Sequence, residues 1–497
     1  MMRIFLALCL LLCGVGWGQG SANKARTASL MERLKADPLR LRLFLHDMPK
    51  GGDLHNHLSG AVYAESYLQW AADDGDCIDT TALSIVKPEK PDACEAGQVT
   101  ARSALTNPKL YGDLLGAMSM YQCTPEKWHD TGHDHFFATF PRFGAVSKEH
   151  WGEMLAQVTE RSALQNELYL ELTLGIDHNE AAGYAKRIDW PLNLGSDYQN
   201  FERAYVSLKD NGIAELVPRM KERLAKAERV QRASLGCGVS THPGCGVEVR
   251  YVYEVYRGAP PANVFAQMVA GFELANVEKR VVGVNLVQSE DSYTSMHDYE
   301  THMWMLQFLH SKYPNVHITL HAGEIAPGIA PDEALCCHIR KAIESGHAER
   351  IGHGTDVMYE NDPDGLLREM ESKQIPVEIN LTSNHVILGV SGKMHPLREY
   401  LRAGVPVVIC TDDEGVARSD MTTELMQAVL DQGMTYDELK EAERNSIRYS
   451  FADQATKKRL AAKLEENFVK FEATLKVPAG KVPAGAGRHE PKAAVER

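Results

Sequence analysis

The chain has no block rich in lysine and arginine, and its 67 Asp+Glu outnumber its 53 Lys+Arg for a net charge of -14. That balance argues against nucleic acid as a partner, because a phosphate backbone demands a positive surface. Beyond residue 22 no stretch is both long and apolar enough to cross a bilayer, and 24% of the residues are charged, so no membrane span is expected. The 10 cysteines contain no set spaced like a four-cysteine zinc site. The Pro-Cys-x-x-Cys half of the cytidine-deaminase type of zinc motif is missing as well. What is present is bulk: 497 residues, 44% of them hydrophobic, can bury a large core, either as two domains or as one big α/β barrel with insertions. A small neutral substrate is compatible with the charge.

Residues 1–22, "MMRIFLALCLLLCGVGWGQGSA", carry one early positive charge at Arg3, an apolar run and then small residues, the pattern of a cleaved secretory signal. Leu8 and Leu12, rather than small residues, precede Cys9 and Cys13, which argues against a lipid anchor. The expected location is therefore periplasmic or secreted, with the working part in residues 23–475. In that setting the close pairs Cys77/Cys94 and Cys237/Cys245 read as disulfides, each worth roughly 2–3 kcal/mol in the chain-entropy model. Residues 476–497 repeat "KVPAG" and hold too little apolar content to fold, so a disordered tail is expected.

Eight short β-branched runs punctuate the chain, at 54–57, 168–174, 247–256, 281–287, 316–324, 350–354, 376–384 and 406–415. Between them lie segments such as "DGLLREMESKQI" and "DEALCCHIRKAIESG", apolar at helical spacing. Buried strands alternating with helices predict a parallel sheet, and a count of eight predicts a (β/α)₈ barrel of the TIM type. The 110 residues between His57 and Leu168 exceed one crossover, which predicts an insertion over 73–120 after the first strand.

The strand ends carry the chemistry. In "DLHNH", His55 and His57 project to one face of an extended strand, while Asn56 points the other way. Two neutral imidazoles on one face make half of a zinc site. Later strands finish in His321-Ala322-Gly323-Glu324, in His353, and in Thr411-Asp412-Asp413. A closed barrel brings all these ends to one rim, so that residues hundreds of positions apart can surround a single ion. The histidines of "WHDTGHDHFF", His129, His133 and His135, mimic a metal cluster but sit in turn chemistry before a helix, and His317 reads as structural.

"HNH", "LHAGE", "RIGHG", "NLTSN" and "TDD", in that order, resemble the adenosine deaminase branch of the metal-dependent amidohydrolases, and within it the secreted, growth-factor-like members. The resemblance implies one Zn²⁺ per chain on His55, His57, His321 and Asp412, lowering the pKa of a bound water towards about 7. It implies hydrolytic attack on a purine nucleoside at C6, giving inosine and ammonia from adenosine or 2′-deoxyadenosine, the reaction of an aminohydrolase on the C–N bond of a cyclic amidine. Glu324 would then donate a proton to ring N1, His353 would deprotonate or orient the water, and Asp413 would hydrogen-bond N7. Gly323 would leave room for the base, and Phe136 and Phe140 of "HFFATF" would wall the purine pocket.

Four positions depart from that pattern. Ser59 stands where ordinary adenosine deaminases hold the ribose 5′-hydroxyl with an Asp, Gln288 replaces a Gly, Asn285 an Asp, and Glu414 a common Pro. Deamination is thus more firmly implied than adenosine itself. Two alternatives follow: a deaminase of another aminopurine nucleoside, or an extracellular binding or signalling protein that uses the 73–120 insertion on an amidohydrolase scaffold.

Overall fold

The computed structural model describes residues 20–123, 131–188, 190 and 197–475. Most of the expected signal, the 476–497 tail and His129 lie outside them.

β1 (Gly52–His57) is followed by three short antiparallel strands, β2 (Cys77–Asp79), β3 (Ser84–Val86) and β4 (Gln98–Thr100). Then come β5 (Tyr169–Leu174), β6 (Glu248–Tyr256), β7 (Val281–Val287), β8 (His317–Ala322), β9 (Arg350–His353), β10 (Val377–Ile379) and β11 (Val407–Ile409). β1 and β5 to β11 form one eight-stranded sheet in chain order, and each adjacent pair for which a register is defined is parallel. The sheet closes where Asp412, just past β11, bridges Asn56 in parallel. There the His57 N–H donates to Asp412 O and the Asp412 N–H to His55 O, both at 2.9 Å. The expected (β/α)₈ barrel is therefore the fold, with the site residues of the first and last strands hydrogen-bonded side by side.

Helices on the outside, among them Trp151–Leu164, Pro261–Val277, Tyr299–Lys312 and Tyr436–Arg448, cover the barrel. β5 is buried at every position, as expected of a strand covered on both faces. The interior still contains charge. Arg350 donates to Glu378 Oε1 at 2.6 Å and to Glu171 Oε2 at 2.7 Å, all three buried. Burial opposes ionisation of Glu378, but Arg350 and His55 hold its carboxyl down at about 2. One guanidinium thus fixes two carboxylates below the reaction rim.

Two strands, β10 and β11, keep only three residues each of their longer sequence runs. The 376–384 run leaves the sheet after Ile379 because Leu381–Leu388 turns into a helix, and the 406–415 run ends at Ile409 with a short helix at Glu414–Ala417. The helix expected across 332–346 spans only His338–Glu344. A bridge between the adjacent Cys336 and Cys337, which the sequence reading did not foresee, and the left-handed backbone of Cys337, φ 83°, are incompatible with an earlier helical start. Within 73–120 lie β2 to β4, the Cys77–Cys94 bridge and the helices Ala101–Leu105 and Pro108–Ala117. Cys237 and Cys245 are also bonded, just before β6. No helix among the described residues is long and apolar enough to cross a membrane.

Candidate active site

Four donor groups converge at the barrel mouth. His55 Nε2 lies 3.1 Å from His321 Nε2, and His57 Nε2 lies 3.2 Å from the same atom. Asp412 Oδ1 is 3.4 Å from both His55 Nε2 and His57 Nε2. β1 supplies the first two rings, β8 the third, and the turn after β11 the carboxylate.

The tautomers show what such a cluster is fit to hold. His55 Nδ1 donates to the Glu378 carboxylate at 2.7 Å, so its Nε2 bears a lone pair. Asn285 Oδ1 accepts the backbone N–H of His321 at 3.1 Å, which identifies the oxygen end of that amide. His321 Nδ1, 3.0 Å from the same oxygen, must donate, so its Nε2 is bare too. Two imidazole lone pairs therefore face each other at 3.1 Å in a buried site, an arrangement that repels unless positive charge sits between them. Donor separations of this size match the edge of a tetrahedron, about 3.3–3.4 Å for metal–nitrogen bonds of about 2.0–2.1 Å. Glu378 and Asn285 orient their rings as metal-site carboxylates and amides do. The cluster's preference for positive charge also appears in its proton affinity. Burial disfavours a charged His55, yet Asp412 and Glu378 raise it to about 10, whereas burial lowers His57 to about 4.

The sequence left one puzzle here, since adjacent Asp412 and Asp413 should point to opposite faces of a strand. The backbone resolves it: Asp412 takes the left-handed conformation, φ 59°, as does His353, φ 66°. Strained residues at strand ends are a mark of working sites, and here the turn sends both carboxylates inward. Ser383 donates to Asp412 Oδ2 at 2.6 Å. Asp413 Oδ1 is buried with no hydrogen-bond partner among the described residues, and burial beside Asp412 pushes its carboxyl well up. Gly60 makes room for it, because an added Cβ would fall 1.6 Å from Asp413 Oδ1.

A cavity of about 580 Å³ opens over the cluster, lined by His57, His321, Glu324, Asp412 and Asp413 on one side and by Phe136, Phe137 and Phe140 on the other. Ser59 lines both this cavity and an adjoining chamber of about 410 Å³. Glu324 is buried, and burial together with Asp412 raises its carboxyl well above the usual range. Its backbone N–H donates to Glu290 Oε2 at 2.7 Å and that of Gly323 to Glu290 Oε1 at 3.1 Å. Glu290, itself held by His338 at 2.6 Å, thus positions the loop and went unnoticed in the sequence.

Gly323 is not among the cavity-lining residues. Its φ is 78°, and an added Cβ would meet Asp356 Oδ1 at 2.3 Å, so the missing side chain makes room for Asp356. Gln288 keeps a glycine-like backbone, φ 83°, and its side chain accepts the Gly258 N–H at 2.9 Å. Glu414 accepts from Arg161 at 2.6 Å, an ion pair that takes the place of a proline's stiffness. His317 sits at the far end of β8, paired with Glu349 at 2.9 Å and stacked on Phe451.

His133 is no metal ligand in this arrangement. It joins the phenylalanine helix, Gly132–Ser147, to Asp291 beyond β7, Nε2 to Oδ1 at 2.9 Å. The hydrogen bond to Asp291 raises it to about 9 against burial, with help from Asp134. Because the folded value lies above the unfolded 6.5, the clamp contributes fully below about pH 6.5 and is lost as pH rises through about 9. A double-mutant cycle of His133→Gln with Asp291→Asn should return a coupling of about 1 kcal/mol at pH 6 and near zero at pH 10.5. A coupling that is flat with pH would show that the pair is not ionic.

Residues 222–467 match the family model described as "Adenosine deaminase". Over these residues the chain is similar to the adenosine deaminase family. An adenosine deaminase of Clostridium kluyveri is 28% identical over 185 residues, 37% of this chain and 50% of that enzyme, so the chain spans half the length of that relative. The N6-mAMP deaminase of Arabidopsis thaliana is 25% identical over 305 residues, 61% of this chain and 74% of that one. Among solved structures, an amidohydrolase from Burkholderia ambifaria with bound Zn has a TM-score of 0.52 at 16% identity, covering 87% of this chain and 94% of its own. At that identity the likeness speaks for the barrel alone. Among the described residues, His55, His321, His353 and Asp412 form one group that could hold a metal ion, and His57, Asp412 and Asp413 form a second that shares Asp412 with it.

Proposed function

We propose that the chain is an exported, zinc-dependent hydrolase that deaminates adenosine, and 2′-deoxyadenosine, to the corresponding inosine plus ammonia. The observation that carries this reading is the approach of His55 Nε2 to His321 Nε2 at 3.1 Å beneath a cavity that His321 lines together with the buried Glu324. Zn²⁺ held by His55, His57, His321 and Asp412 would supply an activated water at neutral pH. The chain's own residues do the rest. Glu324, whose carboxyl burial raises, delivers a proton to ring N1, which makes C6 more electrophilic. Asp413, whose carboxyl burial raises, is placed to hydrogen-bond N7. Phe136 and Phe140 cover the apolar faces of the base and exclude water, and Ser59 offers a hydroxyl on the ribose side. The bridges at Cys77–Cys94 and Cys237–Cys245 favour an oxidising compartment, and the disulfide-held insertion over 73–120 is what favours the growth-factor-like branch.

A second reading, a purine nucleotide as substrate, is favoured by the uncharged Ser59, where an Asp would repel phosphate, and by the exposed Lys148 lining both chambers. The test is ammonia release from adenosine, 2′-deoxyadenosine, AMP and N6-methyl-AMP by protein of measured metal content. Adenosine should be turned over with the highest kcat/KM and one zinc per chain. A preference for the nucleotides replaces the first reading with the second, and no turnover of any of them removes both.

A further inference from the structure

The two ring nitrogens of His353 have different surroundings. Nδ1 lies 2.9 Å from Asn384 Nδ2 and 3.4 Å from Asn380 Nδ2. Nε2 is buried without a hydrogen-bond partner among the described residues and faces Glu324 Oε1 at 3.6 Å and Asp412 Oδ2 at 3.9 Å. Which nitrogen carries the proton decides what this residue can do. An Nε2–H can only donate to an oxygen at the reaction centre, whereas a bare Nε2 can only accept a proton from it.

The choice is made one step further out, at a buried histidine that neither lines the cavity nor belongs to the donor cluster. The backbone N–H of Leu397 donates to His395 Nδ1 at 3.2 Å. A backbone N–H has no acceptor form, so His395 Nδ1 is bare and the neutral ring bears its proton on Nε2. That Nε2–H donates to Asn384 Oδ1 at 3.0 Å. The oxygen end of the Asn384 amide is thereby fixed, and its NH₂ end must be the one turned to His353. His353 Nδ1 therefore accepts, and the proton of the neutral ring sits on Nε2. Burial favours the neutral form of the His395 ring, lowering it to about 4.

We propose that His395 and Asn384 form a tautomer relay that locks His353 as an Nε2–H donor aimed at the reaction centre, with His395 a positioning residue for the reaction. Its catalytic consequence rests on the deaminase reading above; the tautomer itself does not. His353 enters the cycle orienting the attacking water by donating to its oxygen, and not as the base that takes the water's proton. A ring with a proton on Nε2 also cannot ligate a metal through that atom, which separates His353 from His55, His57 and His321.

The test uses full-length, metal-free protein labelled with ¹⁵N-histidine, in which protonated and bare ring nitrogens give distinct signals; comparison with His353→Gln assigns the His353 pair. The wild type should show Nε2 protonated and Nδ1 bare. Asn384→Asp puts an acceptor oxygen in place of the NH₂ at nearly constant volume, and should move the proton to Nδ1. With zinc restored, kcat of that variant should fall about 10²-fold or more, with KM within about threefold and metal content unchanged. His395→Leu should lower kcat about tenfold, and His395→Gln, which keeps an N–H at similar reach, should recover most of that loss. A wild-type proton on Nδ1 overturns the relay, as does an Asn384→Asp protein that keeps both its tautomer and its kcat. Absence of turnover in the wild type counts against the deaminase reading alone, because the ¹⁵N spectrum still decides the tautomer.

Discussion

Glu324→Gln is expected to lower kcat by about 10³-fold while the protein keeps its full complement of metal, within the 10²–10⁴ range of a positioned general acid. The amine of an aminopurine is a poor leaving group on an aromatic ring, so attack at C6 needs the ring protonated as the nucleophile arrives. In the proposed reaction Glu324 is the group that would carry that proton. Burial removes the water that would stabilise its charged form, and the neighbouring Asp412 adds repulsion, so its carboxyl is raised well above the usual range. Gln matches its volume and leaves the backbone N–H on Glu290 undisturbed, so the loop and the metal donors should survive. What Gln cannot do is release a proton. The measurement pairs metal analysis with steady-state kinetics on adenosine. A variant that keeps its metal and loses less than tenfold in kcat would move the donor role to Asp413, the other carboxyl that burial pushes up. A pure binding protein on this scaffold would be indifferent to the change in its partner affinity.

The parts of the site legible in the sequence are those whose chemistry lies in local order. His55 and His57 declare themselves by two-residue spacing in a strand, and His321, His353 and Asp412 by ending β-branched runs, which a barrel must bring to one rim. The supporting residues were not legible, because their roles depend on register across strands. Glu378 is an ordinary acidic residue in a β run until β10 pairs with β9 and sets it against Arg350 and, across the barrel, His55. His395 lies in a loop between helices and has no strand to announce it. The strand end was overrun at 376–384 because Leu381 continues the alternation of Val377 and Ile379 yet is equally well buried in the helix it opens, and only the rim of the barrel decides between them. Gly323 carries a requirement the sequence does not show, since the space left by its missing side chain is taken by Asp356.

Asp412→Ala should abolish turnover and remove the metal together. Asp412 is the one carboxylate of the cluster, 3.4 Å from two of the three imidazole nitrogens, and against burial the neighbouring His55, His353 and His57 hold its carboxyl well down. Without it three neutral rings must hold a dication in a buried site, and affinity should fall on the order of 10³-fold, beyond the 10–100-fold typical of losing an orienting partner. The barrel seam should persist, because Asp412 contributes to it through its backbone N–H and C=O. Stability supplies an independent readout. At free zinc 1,000 times the dissociation constant the wild type gains about 4 kcal/mol from the ion, so a chelator should lower its stability by that amount and leave Asp412→Ala unchanged. Because His353 also lies within reach of the cluster, the same assay should be run on two single variants. His57→Ala should lose the ion, and His353→Ala, if its Nε2 bears a proton, should keep it. A reversal of that pair would place the cation on His55, His321, His353 and Asp412, and would leave His57 to the substrate.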